Sequence, residues 1–189
     1  MQKAIFEILK TGRFNGRDMV VNFSSQTLAE LKKYYSEDIR IAPLVLGHPE
    51  NDKPQYGKVK KLFHFKDSLF AESEISEELV KKIKDGEISG VSCSVHFPAS
   101  KTNPIKGLGV YLKHVGFLEK GKDEPAVKGM INPIESVSHI NLNNGVNNIF
   151  LLNEDEFNPS PKLGELHQKA LYFEKVLGID YLNALDVIQ

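Results

Sequence analysis

Apolar and polar residues alternate from the start of the chain. Ala4, Phe6 and Ile8 interleave with Ile5, Glu7 and Leu9, which predicts a strand, and Asn15-Gly16 supplies a turn into a second strand over 18–23. The period then changes. Leu28, Leu31 and Tyr35 share one helical face while Glu30, Lys32 and Lys33 share the other, so 26–36 reads as a helix capped by Ser24 or Ser25. Residues 41–46 form an apolar strand that stops at Gly47-His48-Pro49 and is followed by a polar loop over 50–55. Residues 56–65 and 68–75 read as a hairpin turning at Lys66-Asp67. A second helix opens at Ser76, with Glu77 and Glu78 placed to complement its dipole, and closes near Asp85-Gly86. Strands over 88–97 and 109–118 follow.

Many strands and two short helices predict an α+β fold: a mostly antiparallel β-barrel or sheet with the helices packed outside. After about residue 132 the composition shifts. Residues 133–160 are rich in Asn and read as a linker between a domain over 1–132 and a tail over 161–189. In the tail, Leu163, Leu166, Ala170, Phe173 and Leu177 repeat at spacings of three and four, Gly178 interrupts, and Asp180 can cap a last helix. The two read as a helical hairpin that must dock on another surface.

Charge narrows the partners. With 24 basic and 25 acidic residues the net charge is -1, so no strong field for nucleic acid or anionic lipid is expected, and recognition should be of protein. The one cysteine, Cys93, excludes an internal disulfide and a multi-thiolate zinc site, consistent with a reducing cytoplasm. No membrane span or signal-peptide core is read, and no cofactor motif is present.

Chemistry concentrates in two places. In the strand Gly90-Val91-Ser92-Cys93-Ser94-Val95-His96, alternation puts Ser92, Ser94 and His96 on one face and Cys93, Val95 and Phe97 toward the core. The plain reading is a half-buried strand with a polar outer face; the functional reading is a serine mounted on a rigid strand as a nucleophile. Cys93 on the core face is a poor nucleophile, because burial favours the thiol. A serine needs a base within reach, itself oriented by a third group. His48 at a strand end and His114 within a strand are candidates, although on position alone the plainer reading of each is an ordinary loop or strand histidine.

Three blocks carry a resemblance: APLVLGHPENDKPQYGKVKKL over 42–62, GVSCSVHF over 90–97 and YLKHVGFLEKGKDEPAVKGM over 111–130. In order and spacing they resemble the Mu-like prophage protein I family of prohead proteases, over roughly residues 5–132. That family is in turn similar to the herpesvirus assemblin serine proteases. The resemblance implies a serine endopeptidase of capsid maturation with Ser92 as nucleophile and His48 as base. The third assemblin member is a second histidine about two dozen residues after the serine, which His114 matches; many phage relatives place an acidic residue there. Ser94 becomes a supporting residue or the alternative nucleophile, and amides in 119–124 become candidate oxyanion donors. The implied partners are phage scaffold and major capsid protein, met inside the assembling prohead in the host cytoplasm, with a homo-oligomer through 161–189 a further expectation. The competing functions are a catalytically inactive assembly protein with a protease-like fold, and a metal-dependent hydrolase using the same histidines.

Overall fold

The computed structural model describes residues 1–15, 20–122, 127–133 and 161–189. The Asn15-Gly16 turn, the start of the second strand, nearly all of the 133–160 linker and the Leu163 side chain lie outside the described residues. Strand β1 (Gln2–Lys10) is followed by β2 (Gly12–Asn15) and β3 (Val20–Phe23), which pair with each other as a separate ribbon. Helix α1 (Ser25–Tyr34) comes next, capped by the Ser24 hydroxyl, which accepts from Thr27 N–H at 3.2 Å. Strands β4 (Pro43–Leu46), β5 (Gly57–Phe65) and β6 (Ser68–Ile75) lead into α2 (Glu77–Lys84), whose N-cap is Ser76. Strands β7 (Ile88–His96) and β8 (Tyr111–Glu119) complete the domain, and α3 (Pro161–Leu177) and α4 (Tyr181–Ile188) form the tail.

Six strands form one sheet in the order β1-β6-β5-β4-β8-β7. Four of its pairings are antiparallel, but β4 and β8 run parallel, with Leu44, Val45 and Leu46 opposite Val115, Gly116 and Phe117. The α+β expectation therefore holds, with a mixed sheet curled into a half-barrel in place of a closed antiparallel barrel. The end strands β1 and β7 approach each other without a hydrogen-bonded ladder. The concave face buries Phe6, Ile8, Leu44, Leu62, Val115 and Phe117, and Leu28 and Leu31 of α1 and Leu79 and Ile83 of α2 are part of the same core. The rings of Phe6 and Phe117 meet edge-on at 5.1 Å, tying β1 to β8 across the core.

The tail covers the opposite face of the sheet. Ala170, Phe173, Ala184, Val187 and Ile188 pack on Ile5, Phe63 and Phe70, and Phe173 meets Phe63 and Phe70 edge-on at 5.5 and 5.1 Å. Burying each such ring contributes roughly 1.5–3 kcal/mol, which explains how helices too short to persist alone are held. Polar contacts set the register: Lys169 bridges Glu72 at 2.8 Å and Glu165 at 3.0 Å, and Lys3 reaches Glu165 at 2.9 Å. Of the predicted seam, Ala170 and Phe173 are fully buried, whereas Leu166 is exposed. Among the described residues no helix is long and apolar enough to cross a membrane.

Candidate active site

Strand β7 alternates as its sequence implies. Val91 is buried in the core, and Cys93 and Val95 pack against it, while Ser92 and Ser94 pair with Gly116 and His114 of β8. Cross-strand partners share a face, so Ser92, Ser94, Gly116 and His114 lie together on the side away from the core. Phe97 departs from the pattern: β7 ends at His96, and Phe97 begins a turn in which its ring is partly exposed. The Cys93 thiol is half-buried against the core, and burial pushes it up to about 12, so it stays protonated.

His48 follows β4 through Gly47, whose positive φ of 60° turns the chain. Parallel pairing with β8 then carries the loop over Gly116. A Cβ on Gly116 would stand 2.2 Å from the Gly47 carbonyl oxygen and 3.1 Å from His48 Cε1. A mid-strand glycine is thus required where a second backbone crosses closely. Gly116 is not among the candidates named from the sequence; the signal for it there is a glycine within an otherwise bulky strand, Tyr111 to Glu119. His48 covers the position with which Ser92 is registered, whereas Ser94 is registered with His114.

From His48 a chain of hydrogen bonds runs inward. His48 Nδ1 and His114 Nε2 are 2.8 Å apart, and His114 Nδ1 lies 2.5 Å from Asp52 Oδ1. Asp52 Oδ2 accepts from Arg40 at 3.0 Å, and Lys113 Nζ stands 3.6 Å from Oδ1. His114 is 1% exposed, and burial pushes its pKa down to about 4 against the raising influence of Asp52. Burial alone would raise the Asp52 carboxyl, but the hydrogen bond from His114 and the neighbouring cationic groups hold it below its ordinary value. Those two states fix the protons. An ionised carboxylate only accepts, so His114 Nδ1 carries hydrogen; neutral His114 then accepts at Nε2, and His48 Nδ1 must donate to it. In neutral His48 with hydrogen on Nδ1, the lone pair is on Nε2.

Asp52 was not singled out in the sequence, where His114 or an acidic residue stood as alternatives for one role. In the structure the two groups stand in series, His114 against His48 and Asp52 against His114. The signal available was weak: an acidic residue four positions after His48 in a polar loop. Its backbone φ of 54° is a conformation in which aspartate is over-represented among non-glycine residues, and a strained position of this kind often marks a functional constraint. His96 is buried, with Nδ1 3.0 Å from the Thr102 hydroxyl, and lies outside the His48–His114–Asp52 chain. Of the expected oxyanion donors, Lys120 N–H is used by Glu87 O and Lys122 N–H by Glu119 O, and residues 123–124 lie outside the described residues. No three His, Cys, Asp or Glu side chains among the described residues converge as a metal ion would need.

No protein-family model matches this chain, and no curated protein matches it. Among solved structures it is similar to Kaposi's sarcoma-associated herpesvirus protease. The protease in complex with a dimer disruptor matches at 13% identity and a TM-score of 0.39, over 65% of this chain and 72% of that one. The same protease in complex with a hexapeptide phosphonate inhibitor matches at 13% identity and a TM-score of 0.40, over 62% and 60%. Likeness this distant leaves any functional reading to rest on the residues of the site.

Proposed function

We propose that this chain is a serine endopeptidase of phage capsid maturation, with Ser92 as nucleophile, His48 as general base and His114 and Asp52 orienting the base. The observation that carries the reading is the hydrogen-bonded chain His48–His114–Asp52, ending at an imidazole that covers the position registered with Ser92. His48 Nε2 takes the proton from Ser92 Oγ as the oxygen bonds to the scissile carbonyl carbon. The same proton passes to the leaving amine as the C–N bond breaks, and water repeats the sequence to release the acyl group. Positive charge on His48 in the transition state is stabilised through His114 by Asp52.

The capsid-maturation assignment is supported by the resemblance of 42–62, 90–97 and 111–130 to prohead proteases. It makes scaffold and major capsid protein the substrates, the assembling prohead the location, and the tail over 161–189 a contact for a second copy or for scaffold. A fluorophosphonate probe tests the chemistry without knowledge of the cleavage sequence: Ser92 Oγ bonds to phosphorus, fluoride leaves, and the proton passes to His48. The adduct should appear on the peptide containing Ser92, vanish in Ser92→Ala and His48→Ala, and persist in Cys93→Ala. An adduct on Ser94 would move the nucleophile by two residues. No adduct in the wild-type chain would favour the inactive assembly protein.

A further inference from the structure

We infer that Arg40 is a positioning residue of this site, joining an irregularity in β8 to the Asp52 carboxylate and so fixing which nitrogens of His114 and His48 carry hydrogen. The inference deepens the protease reading and rests on it for the activity arm only. Between the pairs Ser94–His114 and Val95–Leu112, β8 advances two residues for one on β7, so Lys113 is an extra residue, a β-bulge. A bulge leaves carbonyls outside the regular ladder that need other donors. Arg40 supplies them: one guanidinium nitrogen donates to Lys113 O at 2.7 Å and reaches Leu112 O at 3.5 Å. The other donates to Asp52 Oδ2 at 3.0 Å, leaving Oδ1 for His114.

Arg40 is itself held. Its backbone N–H donates to Ser36 O at 3.2 Å, and its carbonyl accepts from the buried Tyr111 hydroxyl at 3.1 Å. The planar guanidinium thus spans two elements that meet only in the folded chain: the strand bearing His114 and the loop bearing His48 and Asp52. A lysine could offer a charge but not two diverging donors in one plane. Lys113 lies farther from the carboxylate, at 3.6 Å, and on the same oxygen that His114 uses. It therefore cannot substitute for the Arg40 contact to Oδ2. The bulge has a second consequence: it lets Leu112 join the core while His114, two residues on, lies on the opposite face of the strand, buried against His48.

The test uses the full chain with nitrogen-15-labelled histidine, comparing wild type, Arg40→Met, Arg40→Lys and Asp52→Asn. Wild type should show His114 with hydrogen on Nδ1 and none on Nε2, and a low-field Nδ1 proton. Arg40→Met should lose that proton signal, and Arg40→Lys should restore it only in part. Fluorophosphonate labelling should fall about 10- to 100-fold in Arg40→Met, the range expected for a misplaced catalytic group. The double variant Arg40→Met/Asp52→Asn should label no more slowly than Asp52→Asn alone, since both act through one bond. An unchanged His114 pattern in folded Arg40→Met, or independent multiplied losses in the double variant, overturns the inference. If Arg40→Met does not fold, Arg40→Lys decides, because full wild-type behaviour there removes the need for a fork. If wild type never labels, the protease reading fails while the histidine spectra still decide the role of Arg40.

Discussion

Replacing Asp52 with asparagine removes one charge while keeping the shape of the side chain, and the structure sets the size of the effect. The carboxylate oxygen is 2.5 Å from His114 Nδ1, and His114 Nε2 is 2.8 Å from His48 Nδ1. With the width of the imidazole between them, the charge stands about 7 Å from the nitrogen of His48, worth about 2 kcal/mol at an effective dielectric of about 20. Losing that from the transition state slows the reaction by about 30-fold. Proton placement adds to the loss. Asparagine has one oxygen, and both Arg40 and His114 donate toward it; if Arg40 takes it, the amide N–H faces His114 Nδ1. His114 then carries hydrogen on Nε2, His48 on its own Nε2, and His48 can no longer accept from Ser92. The assay is the rate of fluorophosphonate labelling at Ser92 for Asp52→Asn and Asp52→Glu against wild type. Asp52→Asn should be slower by at least about 30-fold, and Asp52→Glu should lie between the two. A wild-type rate in folded Asp52→Asn would refute the series arrangement and leave His114 acting alone.

Gly116→Ala should cost more than about 1 kcal/mol in urea unfolding and reduce labelling, because its Cβ would meet the Gly47 carbonyl at 2.2 Å; wild-type stability would show that the crossing is loose. His114 gives a pH dependence. Its folded pKa of about 4 lies below the unfolded 6.5, so the unfolded chain binds the proton first. Stability should be complete above pH 6.5 and decline by about 3 kcal/mol as pH falls to 4, and His114→Gln should flatten that slope. A slope unchanged in His114→Gln would assign it elsewhere. Phe173→Ala should destabilise the docked tail by about 3–5 kcal/mol, read as faster amide exchange in Tyr181–Ile188 than in β7; equal protection in both variants would mean the tail is held by its ion pairs.

The sequence by itself determined whatever depends on near neighbours. Apolar patterning and turn residues identified β1, β5, β6, β7 and β8, and alternation put Ser92 and Ser94 on one face of β7 with Cys93 and Val95 on the other. Ser24, Ser76 and Asp180 cap their helices as their side-chain chemistry requires, and Lys66-Asp67 turns the β5–β6 hairpin. Those features are set within a few residues by sterics and local hydrogen bonds. What the tertiary structure alone decided is long-range. The parallel pairing of β4 with β8 joins residues some seventy positions apart and puts His48 over Gly116 and against His114. No local pattern encodes that pairing, since a short apolar strand can lie beside either kind of neighbour. Asp52 and Arg40 looked like ordinary surface charges, because a charge is given a function only by the group it meets. The tail likewise showed an apolar seam in sequence, but only folding supplied Ile5, Phe63 and Phe70 as the surface that covers it.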